Sequence, residues 1–133
     1  MKTNKSSLPR ILIFGGQLII VSDIYIQLLN MGYPVIGIQN HMEGVLKSVE
    51  KTEPDIVIVE LNYIDKETSI TLARTLMERY HIPVILLSAD ICELSIQQLL
   101  RLNPYAIITM PFDPASLKRG IKLTEARILS EAG

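Results

Sequence analysis

Five short apolar runs punctuate the chain: Ile11 to Phe14, Val35 to Ile38, Ile56 to Val59, Val84 to Leu87, and Ala106 to Ile108. Each is rich in β-branched residues and lacks polar alternation. Such runs predict strands buried on both faces, the condition of a parallel sheet covered by helices. The intervening segments repeat their apolar residues at three- and four-residue spacing instead. Leu18, Val21, Ile24 or Tyr25, Leu28 and Met31 mark a first helix, stopped by Gly32. A second spans about Met42 to Lys51 and begins at Asn40, with Glu43 at capping-box spacing. Ile70, Ala73, Met77 and Tyr80 share one face of a third, and Pro83 precedes the next strand. A fourth opens with Asp90 and Glu93 at capping-box spacing and ends before Asn103-Pro104. A fifth opens with Asp113 as N-cap and Pro114 in the first helical position, then carries Leu117, Ile121 and Ile128 along one side.

A strand-helix unit repeated five times predicts a flavodoxin-like (βα)5 three-layer α/β sandwich, with a parallel sheet of order 2-1-3-4-5. Residues 1–9 read as a flexible N-terminal segment and 10–131 as the single domain. In this topology ligands meet the crevice beyond the carboxyl ends of strands 1 and 3. The positions to interrogate are therefore Gly15, Gly16, Glu60, Ser88 and Met110.

Composition narrows the possibilities. The chain has 133 residues, with 13 basic and 14 acidic side chains, so a net charge of −1 gives no electrostatic case for nucleic acid. An apolar content of 48% suffices for a core at this length. Cys92 is the single cysteine, which excludes an intramolecular disulfide or a multi-cysteine metal site and points to a reducing compartment, by default the cytoplasm. No apolar run is long enough to span a bilayer. His41 and His81 have no partners at metal-ligand spacing, and no metal or cofactor is expected.

From Arg10 to about Arg127 the chain resembles a response-regulator receiver domain. The resemblance rests on five segments in order: Ile11-Leu-Ile-Phe14, Met31-Gly-Tyr-Pro-Val35, Pro54-Asp-Ile-Val-Ile-Val-Glu-Leu-Asn62, Ile82-Pro-Val-Ile-Leu-Leu-Ser88 and Met110-Pro-Phe-Asp-Pro114. Asn103-Pro-Tyr105 makes it most similar to receivers associated with multidomain sensor kinases. The resemblance implies two-component signalling. It also implies an acidic pair after strand 1 for Mg²⁺, an aspartate ending strand 3 as phosphoryl acceptor, a Ser or Thr after strand 4 and a lysine after strand 5. Phosphoryl transfer needs those groups because it is driven by positioning and by charge stabilisation through a hard cation.

The chain departs from that pattern at most of these places. The acidic pair is Gly15-Gly16, the acceptor position is Glu60 and the lysine position is Met110. Ser88 matches, and Asn62 falls where the family offers a backbone carbonyl to the metal. The position of the family's aromatic switch on strand 5 is Ile107. One carboxylate and one carbonyl make a poor magnesium site, and Met110 supplies neither charge nor a donor. Metal-dependent phosphorylation is expected to fail. Glu60 is then either a weak mimic of the activated state or a solvated or Ser88-bonded strand-end acid.

A degenerate receiver of this kind is expected to be a protein-protein interaction module and not an enzyme. Its partner would be a sensor histidine kinase, a regulator or a second copy in a homodimer. The family commonly uses the face of helix 4, strand 5 and helix 5, which here holds Cys92, Ile96, Leu100, Ile107 and Leu123. A second surface candidate is the pair Tyr25 and Leu29, four apart on helix 1. Two rival readings remain. One is a residual or atypical phosphoacceptor using Glu60; the other is a flavodoxin-like binder of a flavin or other small phosphate ligand at the strand 1/strand 3 crevice beside Gly15-Gly16, for which no G-x-G-x-x-G or P-loop is present.

Overall fold

The computed structural model describes residues 8–61, 66–88, 96–109 and 112–132. Five strands and five helices alternate: β1 (Ile11–Phe14), α1 (Leu18–Asn30), β2 (Val35–Gln39), α2 (Met42–Thr52), β3 (Ile56–Glu60), α3 (Lys66–Glu78), β4 (Val84–Ser88), α4 (Ile96–Leu102), β5 (Ala106–Thr109) and α5 (Pro114–Ala132). All pairings are parallel, and the sheet order is β2-β1-β3-β4-β5, as the sequence predicts.

Alternation along the strands sorts the core into two layers. Leu12, Phe14, Val57, Val59, Val84 and Leu86 pack against α2, α3 and the end of α4. Ile11, Ile13, Ile56, Ile58, Ile85 and Leu87 pack against α1 and α5. The three central strands β1, β3 and β4 are buried along their whole length. The strands β2 and β5 correct the expectation of burial on both faces, because each lies at a sheet edge and is half exposed. An apolar run reports what its side chains pack on and is silent about which strand has only one neighbour.

Helix ends show where local signals held. Gly32 adopts φ 87° and closes α1, with Gly32 N donating to Leu29 O at 3.0 Å and Tyr33 N to Leu28 O at 3.0 Å. Glycine carries this left-handed turn without a Cβ penalty. Asp113 caps α5 as predicted: its Oδ1 accepts from Ser116 N at 2.7 Å and from Ser116 Oγ at 2.6 Å. Those bonds hold the Asp113 carboxyl below its ordinary value. The start of α2 is a correction. The N-cap is His41, with no side-chain cap bond, so Asn40 and Glu43 form no capping box. Strand β2 runs one residue further than its apolar run, to Gln39, and displaces the cap. In α3 the core face is Ser69, Ile70, Leu72, Ala73 and Leu76, while Met77 and Tyr80 only flank it.

Candidate functional site

The carboxyl ends of β1 and β3 lie side by side because Phe14 pairs with Val59, one residue short of Glu60. Gly15 continues β1 and is tied to Gln39 O at 3.0 Å on the other flank. From there the chain passes through Gly16 and Gln17 into α1. This helix has no side-chain cap bond of its own and no acidic residue in its first turn. Its free amides must be satisfied from elsewhere.

Glu60 supplies an acceptor to one of them, the Gln17 amide at the N-cap, and to the Gly16 amide before it. Its side chain is 3% exposed, and its Oε1 accepts from Gly16 N at 3.0 Å and from Gln17 N at 3.2 Å. A carboxylate carried on β3 therefore caps α1 across the crevice, where the positive end of the helix dipole favours negative charge. This corrects the reading of Glu60 as a solvated acid. Gly15 is what lets the carboxylate in: a Cβ built there would fall 2.5 Å from Glu60 Oε1 and would overlap Val21 as well.

The other expected positions divide. Ser88 is buried at the end of β4, one residue beyond Leu87, the partner of Glu60, and it faces Thr109 on β5. Gly16 is exposed at the mouth of the crevice. Asn62, Met110 and Cys92 lie outside the described residues. Sequence reasoning missed the Gln17 amide, which no side chain announces, and Ser69. The Ser69 hydroxyl, buried in α3, donates to Glu60 O at 3.1 Å and braces the end of β3. Among the described residues no group of His, Cys, Asp and Glu could hold a metal ion, and no helix is long and apolar enough to cross a membrane. His41 and His81 are both exposed.

The face of α4, β5 and α5 is the second site. Leu100, Ile107 and Leu123 are all exposed; the side chain of Ile96 is outside the described residues. Beside them, Ala106, Ile107, Thr109, Ser116, Arg119 and Leu123 border an open groove of about 270 Å³. Tyr105, which precedes Ala106 in the chain, is clamped to α5. The Arg127 guanidinium lies 3.9 Å from the Tyr105 ring centroid and donates to Pro104 O at 3.2 Å, while the Tyr105 hydroxyl donates to Glu131 Oε1. That hydroxyl and Arg127 hold the Glu131 carboxyl below its ordinary value. The clamp fixes the last turns of α5 against the start of β5. On α1, Tyr25 is half buried against the core and Leu29 is exposed.

A parallel sheet of order 2-1-3-4-5 flanked by five helices, with its polar crevice at the ends of β1 and β3, is the fold of response-regulator receiver domains. The chain is similar to the signal receiver domain of a modulated diguanylate cyclase from Desulfovibrio desulfuricans G20, with a TM-score of 0.82 at 24% identity over 94% of this chain and 99% of that one. It is similar to the response regulator PhyR from Brucella abortus, with a TM-score of 0.71 at 26% identity over 93% of this chain. It spans 49% of that regulator, about half its length. A receiver domain protein from Methanospirillum hungatei JF-1 gives a TM-score of 0.72 at 21% identity over 91% of this chain and 99% of that one. By sequence the chain matches no protein-family model and no curated protein.

Proposed function

We propose that the chain is a degenerate receiver domain of two-component-type signalling, which acts as a phosphorylation-independent protein-interaction module and not as an enzyme. The observation that carries this reading is the Glu60 carboxylate seated on the Gly16 and Gln17 amides. In a working receiver the crevice holds a hard cation between carboxylates, and the acceptor carboxylate is free to attack phosphorus. Here Gly15 and Gly16 bring no carboxylate, and Glu60 spends one oxygen capping α1. Met110 brings no cation to the end of strand 5. The crevice is thus a structural joint between β1, β3 and α1.

With the chemistry gone, surface remains. The exposed Leu100, Ile107 and Leu123 form the face on which a sensor kinase or a regulator would dock. The groove beside them and the Tyr105 clamp behind them give that face a fixed shape.

Incubation with a small acyl phosphate and magnesium, followed by intact-mass analysis, tests the reading. The expected result is no phosphoryl adduct. An adduct that forms on the wild type and disappears in Glu60→Ala would overturn the proposal and make Glu60 a phosphoacceptor.

A further inference from the structure

Helix α1 carries a single charged residue, Asp23, in its 13 positions. Its core face is Val21, Ile24 and Leu28. An ordinary surface helix would be polar on the other side. Instead Leu18 is 76% exposed and Ile19 85%, and Ile26 and Leu29 are exposed beyond them. Ile38 adds to this flank from β2: it pairs with Ile13, whose side chain packs into the α1 layer, so Ile38 points to the same side. Of the ten large hydrophobic residues exposed among the described residues, six lie on this flank, counting Leu8. Four lie at α4, β5 and α5. Scattered apolar residues on a surface are ordinary, whereas a contiguous set marks a contact.

The spacing says what kind of contact. Ile19, Ser22, Ile26 and Leu29 follow one another at intervals of three, four and three, the a/d spacing of a seam on which helices pack. Three of the four are large and exposed, and the half-buried Ser22 is the small member. The interval pattern reads the same in reverse. A second α1 laid antiparallel about a two-fold axis level with Ile24 sets Ile19 against Leu29 of the other copy and Ile26 over its Ser22. Large then meets small in the inner pairs, the alternation by which facing layers interdigitate. That is the self-complementarity an isologous interface requires. With one charge on the helix, no row of like charges opposes the pairing. The edge of β2 does not compete as the contact, because its register shifts between Val35 and Gly37 and Pro34 precedes it, features that blunt an edge strand.

We infer that the outer seam of α1 is a self-association surface, on which two copies of this chain pair through antiparallel α1 helices. The inference is independent of the reading of the crevice and uses a different face from α4, β5 and α5. The seam spans only about 15 Å at 1.5 Å per residue. It engages far fewer than the roughly 20 residues a side of a standard interface. The pairing is therefore weak and concentration-dependent.

Sedimentation velocity over a wide concentration range tests it on three chains: wild type, Ile19→Lys and Leu123→Lys. Both substituted side chains are exposed, so circular dichroism should show all three folded. The expected result is a wild-type mass that climbs toward a dimer as concentration rises. Leu123→Lys should follow the same curve, and Ile19→Lys should be shifted by about tenfold or more in concentration, equivalent to ~1.4 kcal/mol. Ile26→Lys should repeat the shift. A wild type that stays monomeric throughout overturns the inference. So does a dimer that Leu123→Lys abolishes while Ile19→Lys leaves it intact.

Discussion

Glu60 ties the end of β3 to the entry of α1. A buried carboxylate must be hydrogen-bonded, and the two amides ahead of α1 provide that at 3.0 and 3.2 Å. Removing it leaves those donors short of a partner and the helix dipole uncompensated. Glu60→Ala should therefore destabilise the domain by about 1–3 kcal/mol, read as a lowered urea midpoint at unchanged slope. A loss within error would mean that water replaces the cap at no cost. Gly15→Ala should cost a similar ~1–3 kcal/mol through overpacking, since its Cβ would press on both Glu60 and Val21. Restoring an acid at Gly15 would thus meet the same obstruction before it could bind a cation. Asp113 supplies the pH dependence that can be signed. Ser116 holds its carboxyl below the ordinary value, so its contribution is present above the usual carboxylate range and fades as pH falls through it. The difference in melting temperature between wild type and Asp113→Ala should accordingly shrink below about pH 4. A difference that holds constant into acid would contradict this assignment.

Among the elements, signals confined to one segment are legible in the sequence, and signals that depend on a neighbour are not. The Asp113-Pro114 cap, the Gly32 stop and the five apolar runs all act within a few residues, and each forms where the pattern places it. The expected α2 start fails because Asn40 competes with a strand that extends to Gln39, and only pairing with β1 reveals that extension. The core face of α3 fails for a related reason. A period read from Ile70, Ala73, Met77 and Tyr80 is rotated from the true face, which centres on Ile70, Ala73 and Leu76. Leu76→Ala should cost about 2–5 kcal/mol, the range for a buried leucine, and Met77→Ala clearly less. Equal losses would favour the face that includes Met77. The site is half legible. Gly15, Gly16, Glu60 and Ser88 stand out by their places after strands 1, 3 and 4. The bond from Glu60 to α1 does not, because backbone amides leave no trace in a sequence.

At the scale of the whole molecule, a receiver fold forms although Gly15, Gly16, Glu60 and Met110 stand where the family resemblance implies other residues. The reason is that the fold depends on two apolar layers of the sheet, both intact, and the chemistry on a few strand ends. The sheet order and fold are shared with the receiver domains it is similar to, at identities of 21 to 26%. The crevice at the ends of β1 and β3 holds the chain's own Glu60 carboxylate.

An amide NMR titration with magnesium and then beryllofluoride, the phosphomimetic used with the RcsB receiver domain from Salmonella enterica serovar Typhimurium, tests this most directly. With Glu60 seated on Gly16 and Gln17, the spectrum should stay unchanged through both additions. Shifts clustered at Gly15, Gly16, Glu60 and Ser88 would contradict the account and restore a phosphorylation switch.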